Sequence, residues 1–347
     1  MGVERMAHVG DEFMVDYPAT RKRIVLTGKL NHGASNAQST IFVGNFDPND
    51  RNLECVVKAM GPYKHNKLGE NGESTEPEEA RAEYDALRIM GPHPNIVKLI
   101  AYAEIQSDKG DSVIGLIILE KLSMDVNAFI RGGHFSEERT PKKLMYDLLS
   151  AVQYCRRYGI VHTDIKPANI FVDLSAGIGR PTFKLGDFAS SIHLVKITHT
   201  DRFIDIMRRE SNNEEITTLH WRALELMLPM PRYAFTSAID VWSCGCVFAD
   251  MLFKRGGVFF NKFEVMDMLE AYFKFFGTPN EYSWPSIPVT VASYINAIFP
   301  RHPYRDLRKI YAPTHGIDAI DLLCRLLDFD GAKRITAEDA LKHPYFK

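Results

Sequence analysis

The segment His162-Thr163-Asp164-Ile165-Lys166-Pro167-Ala168-Asn169 sets an acid, a base and an amide at fixed offsets, between a helical pattern and the apolar run Ile170 to Val172. Three polar side chains on one tight loop can converge. Phosphoryl transfer requires such convergence, because most of its catalysis lies in positioning the attacking hydroxyl and offsetting charge on the phosphoryl oxygens. The plainer alternative is a capped loop whose Asp164 and Asn169 only satisfy backbone groups. In Lys184-Leu185-Gly186-Asp187-Phe188-Ala189 a carboxylate ends a second short strand. Asp187 and Asn169 together are hard oxygen ligands of the kind Mg²⁺ takes. Upstream, Val56-Val57-Lys58 carries a lysine between apolar neighbours, and Glu83 lies on the helix that follows. A Lys near a Glu is usually a surface pair of little consequence, but these strand neighbours direct Lys58 into a cleft.

Two kinds of element must position these groups. From Arg23 to Leu119 short β-branched runs alternate with loops: Ile24 to Thr27, Ser39 to Gly44, Cys55 to Met60, Ile96 to Ala101 and Val113 to Leu119. They predict a small antiparallel sheet. One helix interrupts it, opened by Pro77 and a Glu-rich turn, with Ala80, Tyr84, Leu87 and Met90 at helical spacing up to Gly91-Pro92. The polar stretch Gly61 to Glu76 reads as a loop. After Asp125 long amphipathic segments take over: Pro141 to Arg157, Thr236 to Leu252, Asn261 to Phe276, Asp318 to Leu327 and Ala337 to Leu341. The short runs Ile170 to Val172 and Phe183 to Leu185 sit between the first two of these.

The 347 residues, 45% of them hydrophobic, suffice to bury the cores of two lobes. A net charge of -2 with scattered Lys and Arg leaves no nucleic-acid footprint. No apolar run approaches a membrane span, and the start Met1-Gly2-Val3-Glu4 is neither a signal peptide nor a myristoylation site. The five cysteines fit neither a zinc knuckle nor a redox motif, so reduced, mostly buried thiols are expected. These features predict a soluble intracellular protein.

From about Arg23 to the C-terminus the chain resembles the eukaryotic protein kinase domain, with that family's motifs in order. The resemblance implies an α+β, bilobal fold: a small antiparallel β-sheet lobe with one helix, and a larger, mainly helical lobe. Its parts would be an N-terminal extension (1–22), the small lobe (23–118), a hinge (119–126) and the large lobe (127–347). It implies ATP and Mg²⁺ as cofactors. Lys58 would contact the α- and β-phosphates and pair with Glu83, while Asn169 and Asp187 would bind the metal. Asp164 would accept the substrate hydroxyl's proton and Lys166 steady the γ-phosphate. Val56 and Phe171 would sandwich the base, Leu119 would be the gatekeeper, Glu120 to Leu122 the hinge contacts, and Asp125 would lie near the ribose. Gly33 and Ile41 belong to the loop over the phosphates. Glu225 in Arg222-Ala223-Leu224-Glu225 would pair with Arg334, and Asp240 and Trp242 fit the helix anchoring the catalytic loop. Thr218 to Ala223, Phe276 to Glu281 with Trp284-Pro285, and Arg334 to Phe346 resemble the cyclin-dependent, or CMGC, branch, with its cell-cycle kinases. Lys166 is similar to the lysine of serine/threonine kinases, which implies protein substrates.

The departures from that pattern concern regulation. The loop Leu30 to Ile41 keeps one clear glycine, Gly33, which points to weaker nucleotide affinity. Ala189 stands where the family has glycine. Thr163 and Ala82 replace two arginines that would bind a phosphorylated activation loop, and the usual phosphothreonine position falls near Asn213, followed by Glu214 and Glu215. With donor and acceptor both gone, activation without loop phosphorylation is expected. Arg81 replaces the central apolar residue of the cyclin-contacting helix, which argues against a conventional cyclin partner. Thr217 leaves proline-directed specificity open. A monomeric kinase domain is expected, nuclear or cytoplasmic by family analogy. The competing readings are a pseudokinase that binds nucleotide or partners without transfer, and a small-molecule kinase, which Thr218 and Arg222 to Glu225 disfavour.

Overall fold

The computed structural model describes residues 7–17, 20–30, 39–46, 53–64, 78–106, 112–136, 139–194, 218–230, 236–253 and 264–347. The chain divides into two compact units, one formed by Met1–Ser123 with Asp187–Ser191, the other by Met124–Gly186 with Ile192–Lys347.

In the first unit the β-branched runs pair as a six-stranded antiparallel sheet. Its strands are β1 (Glu12–Tyr17), β2 (Thr20–Leu30), β3 (Ser39–Asn45), β4 (Glu54–Lys64), β5 (Leu99–Gln106) and β6 (Ser112–Glu120), in the order β1-β2-β3-β4-β6-β5. Alternation decides the faces. Phe42, Val57, Ala59, Leu116 and Ile118 join Val15, Ile24 and Leu26 in one buried apolar layer. Gly44 has no room for a side chain in that layer, since a Cβ would sit 2.8 Å from methyls of Ile24 and Val57. The helix α1 (Glu78–Met90) buries Ala80, Ala86, Leu87 and Met90. Three expectations are corrected. β1 was not foreseen, the stretch read as a loop from Gly61 is strand through Lys64, where it pairs with Ser112 of β6, and the strand expected at Ile96 to Ala101 begins at Leu99, with Ile96 and Val97 buried before it.

The second unit carries β7 (Met124–Asp125), α2 (Val126–Arg131), α3 (Arg139–Arg157), β8 (Ile160–Val161), β9 (Ile170–Asp173), β10 (Thr182–Leu185) and β11 (Ile192–His193). The helices α4 (Leu224–Met227), α5 (Ala238–Leu252), α6 (Val265–Phe276), α7 (Val289–Ile298), α8 (Leu307–His315), α9 (Ile317–Leu326) and α10 (Ala337–Ala340) follow. β10, β9 and β7 form one small sheet, and β11 pairs with β8. Every residue of α5 from Ile239 to Met251 is buried. A helix buried on all sides belongs at the centre of its unit, so α5 is the scaffold against which the loops are set. α2, α4, α7 and α8 went unforeseen. The β-branched sequence of α7, VTVASYINAI, lacks a helical signature, and Pro313 lies inside α8. Four of the cysteines are buried and none is disulfide-bonded. Among the described residues no helix is long and apolar enough to cross a membrane.

Candidate active site

In the first unit, β4 lies between β3 and β6, which sets Lys58 opposite Ile41 on one side and Ile117 on the other. Ile41, Val43, Val56, Lys58 and Leu119 therefore share one face of the sheet, away from the Phe42 and Val57 layer. Lys58 Nζ lies 2.9 Å from Glu83 Oε2 and 2.5 Å from Asp187 Oδ1. The Lys58 and Glu83 side chains are 6% and 1% exposed, so this pair is the interior ion pair that the resemblance implies, not a surface one. Burial pushes the Lys58 ammonium's pKa down, but Asp187 and Glu83 outweigh it and leave the group above its usual range. Burial pushes Glu83 up, against the pull of Lys58. The Phe188 N–H donates to Glu83 Oε1 at 3.2 Å while Lys58 donates to Oε2, so both oxygens are engaged in bonds that oppose the effect of burial. Asp187 has a φ of 61°, in the left-handed region that non-glycine residues seldom adopt.

Of the other residues of this unit, Leu119 is buried and Val56, Glu120 and Leu122 are intermediate. Glu120 is fixed to Lys98 twice, accepting its N–H on Oε1 at 2.7 Å and donating its own N–H to the Lys98 carbonyl at 3.0 Å. Gly33 lies outside the described residues, as do Asn213, Glu214 and Glu215.

In the second unit Asp125 and Phe171 face each other across the β7–β9 pair. Asp125 Oδ1 is already used, accepting the Ala128 N–H at 2.7 Å as the N-cap of α2. The loop His162 to Asn169 hangs from α5, where Asp240 accepts the backbone N–H groups of His162 and Thr163 at 2.8 and 2.9 Å. Burial raises the Asp240 pKa, and His162 and these two bonds oppose it. They also hold Thr163 at a φ of 70°, a strained position for a β-branched residue. His162 accepts the Asp164 N–H on Nδ1 at 3.3 Å, so its proton is on Nε2, which donates to the Gly186 carbonyl at 2.9 Å.

The reactive groups are set by that frame. Asp164 Oδ2 receives Lys166 Nζ at 3.0 Å and Asn169 Nδ2 at 3.0 Å, and the same amide donates to the Asp164 carbonyl at 2.9 Å. Asp164 Oδ1 is buried and has no hydrogen-bond partner among the described residues. The loop thus does more than satisfy its own backbone. One carboxylate oxygen is pinned by a cation and an amide, and the other is left as an acceptor.

The frame expected around the loop is also present. Arg334 meets Glu225 with two bonds, of 2.7 and 3.0 Å, while also donating to the carbonyls of Asp328 and Ala238 and lying 4.9 Å from the Trp242 ring centre. One supporting residue went unforeseen. Asp147 of α3 is 3% exposed and accepts the Phe183 N–H of β10 at 2.9 Å and the Lys143 ammonium at 2.7 Å. Its signal is an acidic residue within the apolar stripe Leu144, Met145, Leu148 and Leu149.

The model of the protein kinase domain family matches residues 49–346. A rice protein, Cyclin-dependent kinase B2-1 of Oryza sativa subsp. japonica, is 31% identical over 293 residues, covering 82% of this chain and 80% of its own. Cyclin-dependent kinase B2-1 of Arabidopsis thaliana is 31% identical over 304 residues, covering 85% and 88%. Among solved structures, the CAK complex from Chaetomium thermophilum bound to ATP-gamma-S contains a chain with the same fold, at a TM-score of 0.69 and 24% identity, over 93% of this chain and 90% of that one. The chain belongs to the protein kinase family and is a serine/threonine kinase of its cyclin-dependent, CMGC, branch.

Proposed function

We propose that this kinase transfers the γ-phosphate of ATP to serine and threonine hydroxyls of proteins, and that it does so without a phosphothreonine in the activation segment. The observation that carries transfer, rather than nucleotide binding alone, is Asp164. Its Oδ2 is held by Lys166 and Asn169 while its buried Oδ1 has no partner among the described residues, which suits acceptance of a hydroxyl proton. Lys166, 3.0 Å from that carboxylate, is placed to offset charge on the transferred group. Lys58, kept charged by two carboxylates, supplies the cation for the α- and β-phosphates.

The residues present also fit Mg²⁺. Asn169 spends its amide nitrogen on Asp164, which turns its carbonyl oxygen to the role of ligand, and Asp187 offers a carboxylate. By the family resemblance these two hard-oxygen groups would hold the ion, which when bound neutralises phosphate charge. By the family resemblance Ile41, Val56 and Leu119, which share one face of the sheet, would contact the base, and Phe171, Glu120, Leu122, Asp125 and Gly33 keep the nucleotide-binding roles that the resemblance implies.

For regulation, Thr163 brings no positive charge to the place where relatives bind a loop phosphate, and its backbone is fixed by Asp240 instead. Arg81 is exposed on α1, where a charge disfavours an apolar interface core, so a conventional cyclin partner is not expected.

Two experiments test this reading. Radiolabelled transfer to generic protein substrates should be strong in the wild type and fall with Asp164→Asn, by on the order of 10²- to 10⁴-fold; equal signal from both would count against the mechanism, and nucleotide binding without transfer in the wild type would establish the pseudokinase alternative. Phosphatase treatment should leave activity unchanged, whereas its abolition together with an obligatory phosphosite between Ser190 and Thr217 would sink the activation proposal.

A further inference from the structure

The Lys58–Glu83 ion pair fixes one point of α1, and one point leaves a helix able to roll. A second contact lies next to it. Tyr84, the residue after Glu83, stacks on Tyr102 of β5, with ring centres 4.5 Å apart and planes 21° from parallel. Tyr102 stands opposite Ile117, and Ile117 stands opposite Lys58. Lys58, Ile117 and Tyr102 are thus one lateral row across β4, β6 and β5, with their side chains on one face of the sheet.

A bulge creates this alignment. β5 pairs Leu99 with Leu119 but Ala101 with Ile118, so Ile100 is an extra residue in the ladder. Without it Ala101 would oppose Ile117, and Tyr102 would point to the other face. The stack is braced on both sides. Tyr102 Oη donates to Glu104 Oε1 at 2.6 Å, and the Arg88 guanidinium lies 5.7 Å from the Tyr84 ring centre.

Consecutive helix residues therefore grip one sheet row at positions two strands apart, roughly 10 Å. We propose that the Tyr84–Tyr102 stack is a positioning clamp that holds α1 in the rotation at which Glu83 reaches Lys58, so that the pair forms without a partner protein docked on the helix. The inference rests on the reading of Lys58 and Glu83 as the nucleotide-site pair. It gives a physical means for the partner-independent activity proposed above.

The test compares phosphotransfer by the full chain carrying Tyr102→Ala, Tyr102→Phe, Glu83→Gln, or Tyr102→Ala with Glu83→Gln, with folding followed by thermal melting. Tyr102→Ala should lower turnover by about tenfold, an effect of the size expected from loss of an aromatic pair. Tyr102→Phe, which keeps the ring and loses the hydroxyl that donates to Glu104, should stay within about twofold. In the Glu83→Gln background the alanine change should cost nothing further, because the clamp acts only through Glu83. Full activity of Tyr102→Ala, or an undiminished loss in the Glu83→Gln background, would overturn the clamp. An unaffected Glu83→Gln would instead overturn the reading of the ion pair.

Discussion

Two buried ionic clusters, one in each unit, use the same chemistry to opposite ends. In the second unit Arg334 and Glu225 are matched one to one: the guanidinium is spent on Glu225 and two carbonyls, and the side chains are 0% and 3% exposed. In the first unit Lys58 faces two carboxylates, Glu83 and Asp187, and the Asp187 side chain is 25% exposed. The Arg334–Glu225 pair is closed, whereas the Lys58 cluster sets two carboxylates on one cation, one of them partly open to solvent. A closed buried pair holds a segment in place, whereas a charged cluster that reaches solvent suits a ligand.

The comparison predicts different failures. Arg334→Met strands a buried carboxylate and should cost about 3–5 kcal/mol of folding stability, read by chemical denaturation. Arg334→Met combined with Glu225→Leu should recover much of it, since replacing both partners removes the stranded charge. Lys58→Met should instead be chiefly a functional lesion. Transfer is expected to fall by on the order of 10²- to 10³-fold, with a smaller loss of stability than Arg334→Met, because Asp187 reaches solvent and burial already favours protonation of Glu83. Equal stability losses in the two single variants would erase the distinction.

A third ionic centre gives a pH test. Asp321 of α9 accepts from Arg308 at 2.6 Å, Arg325 at 2.7 Å and His343 at 2.9 Å. Burial alone would raise its pKa, but His343, Arg308 and Arg325 together bring it down from 3.8 to about 2. A carboxylate depressed on folding stabilises the protein above its unfolded pKa and loses that contribution as pH falls through the folded one. Asp321→Asn should therefore cost about 2 kcal/mol near neutrality. The gap between variant and wild type should close between about pH 4 and pH 2, as followed by thermal melting across that range.

The smallest effect concerns backbone strain. Thr163 is held at a φ of 70° by Asp240, and asparagine tolerates that region better than a β-branched residue. Thr163→Asn should raise stability by about 1 kcal/mol; a lowered melting temperature would show that the threonine is not strained.

The sequence exposed the chemistry better than the scaffold. Lys58, Glu83, Asp164, Lys166, Asn169 and Asp187 stand in distinctive local contexts, so spacing and residue type singled them out as candidates. The pairs Lys58–Glu83 and Glu225–Arg334, 25 and 109 residues apart, followed from the resemblance and were found at 2.9 and 2.7 Å. Periodicity recovered the sheet and the long helices that have one apolar face, and α5, read as amphipathic, is instead buried on every side. It missed α7, whose β-branched residues suit a strand, and β1, which has no apolar run of the kind used to find the others. It also missed the Ile100 bulge and the left-handed backbone at Thr163 and Asp187. Those features arise from strand register and from carboxylates tens of residues away, and no local pattern records them.

The central claim, that Asp164 performs transfer and does not merely hold the nucleotide, is tested most directly by measuring nucleotide affinity and single-turnover transfer in the same samples of wild type and Asp164→Asn. The account predicts affinities within a few-fold of each other, since Lys58 and its carboxylates are untouched, and a transfer rate lower by on the order of 10²- to 10⁴-fold in the variant. Transfer at the wild-type rate by Asp164→Asn, with affinity unchanged, would contradict it.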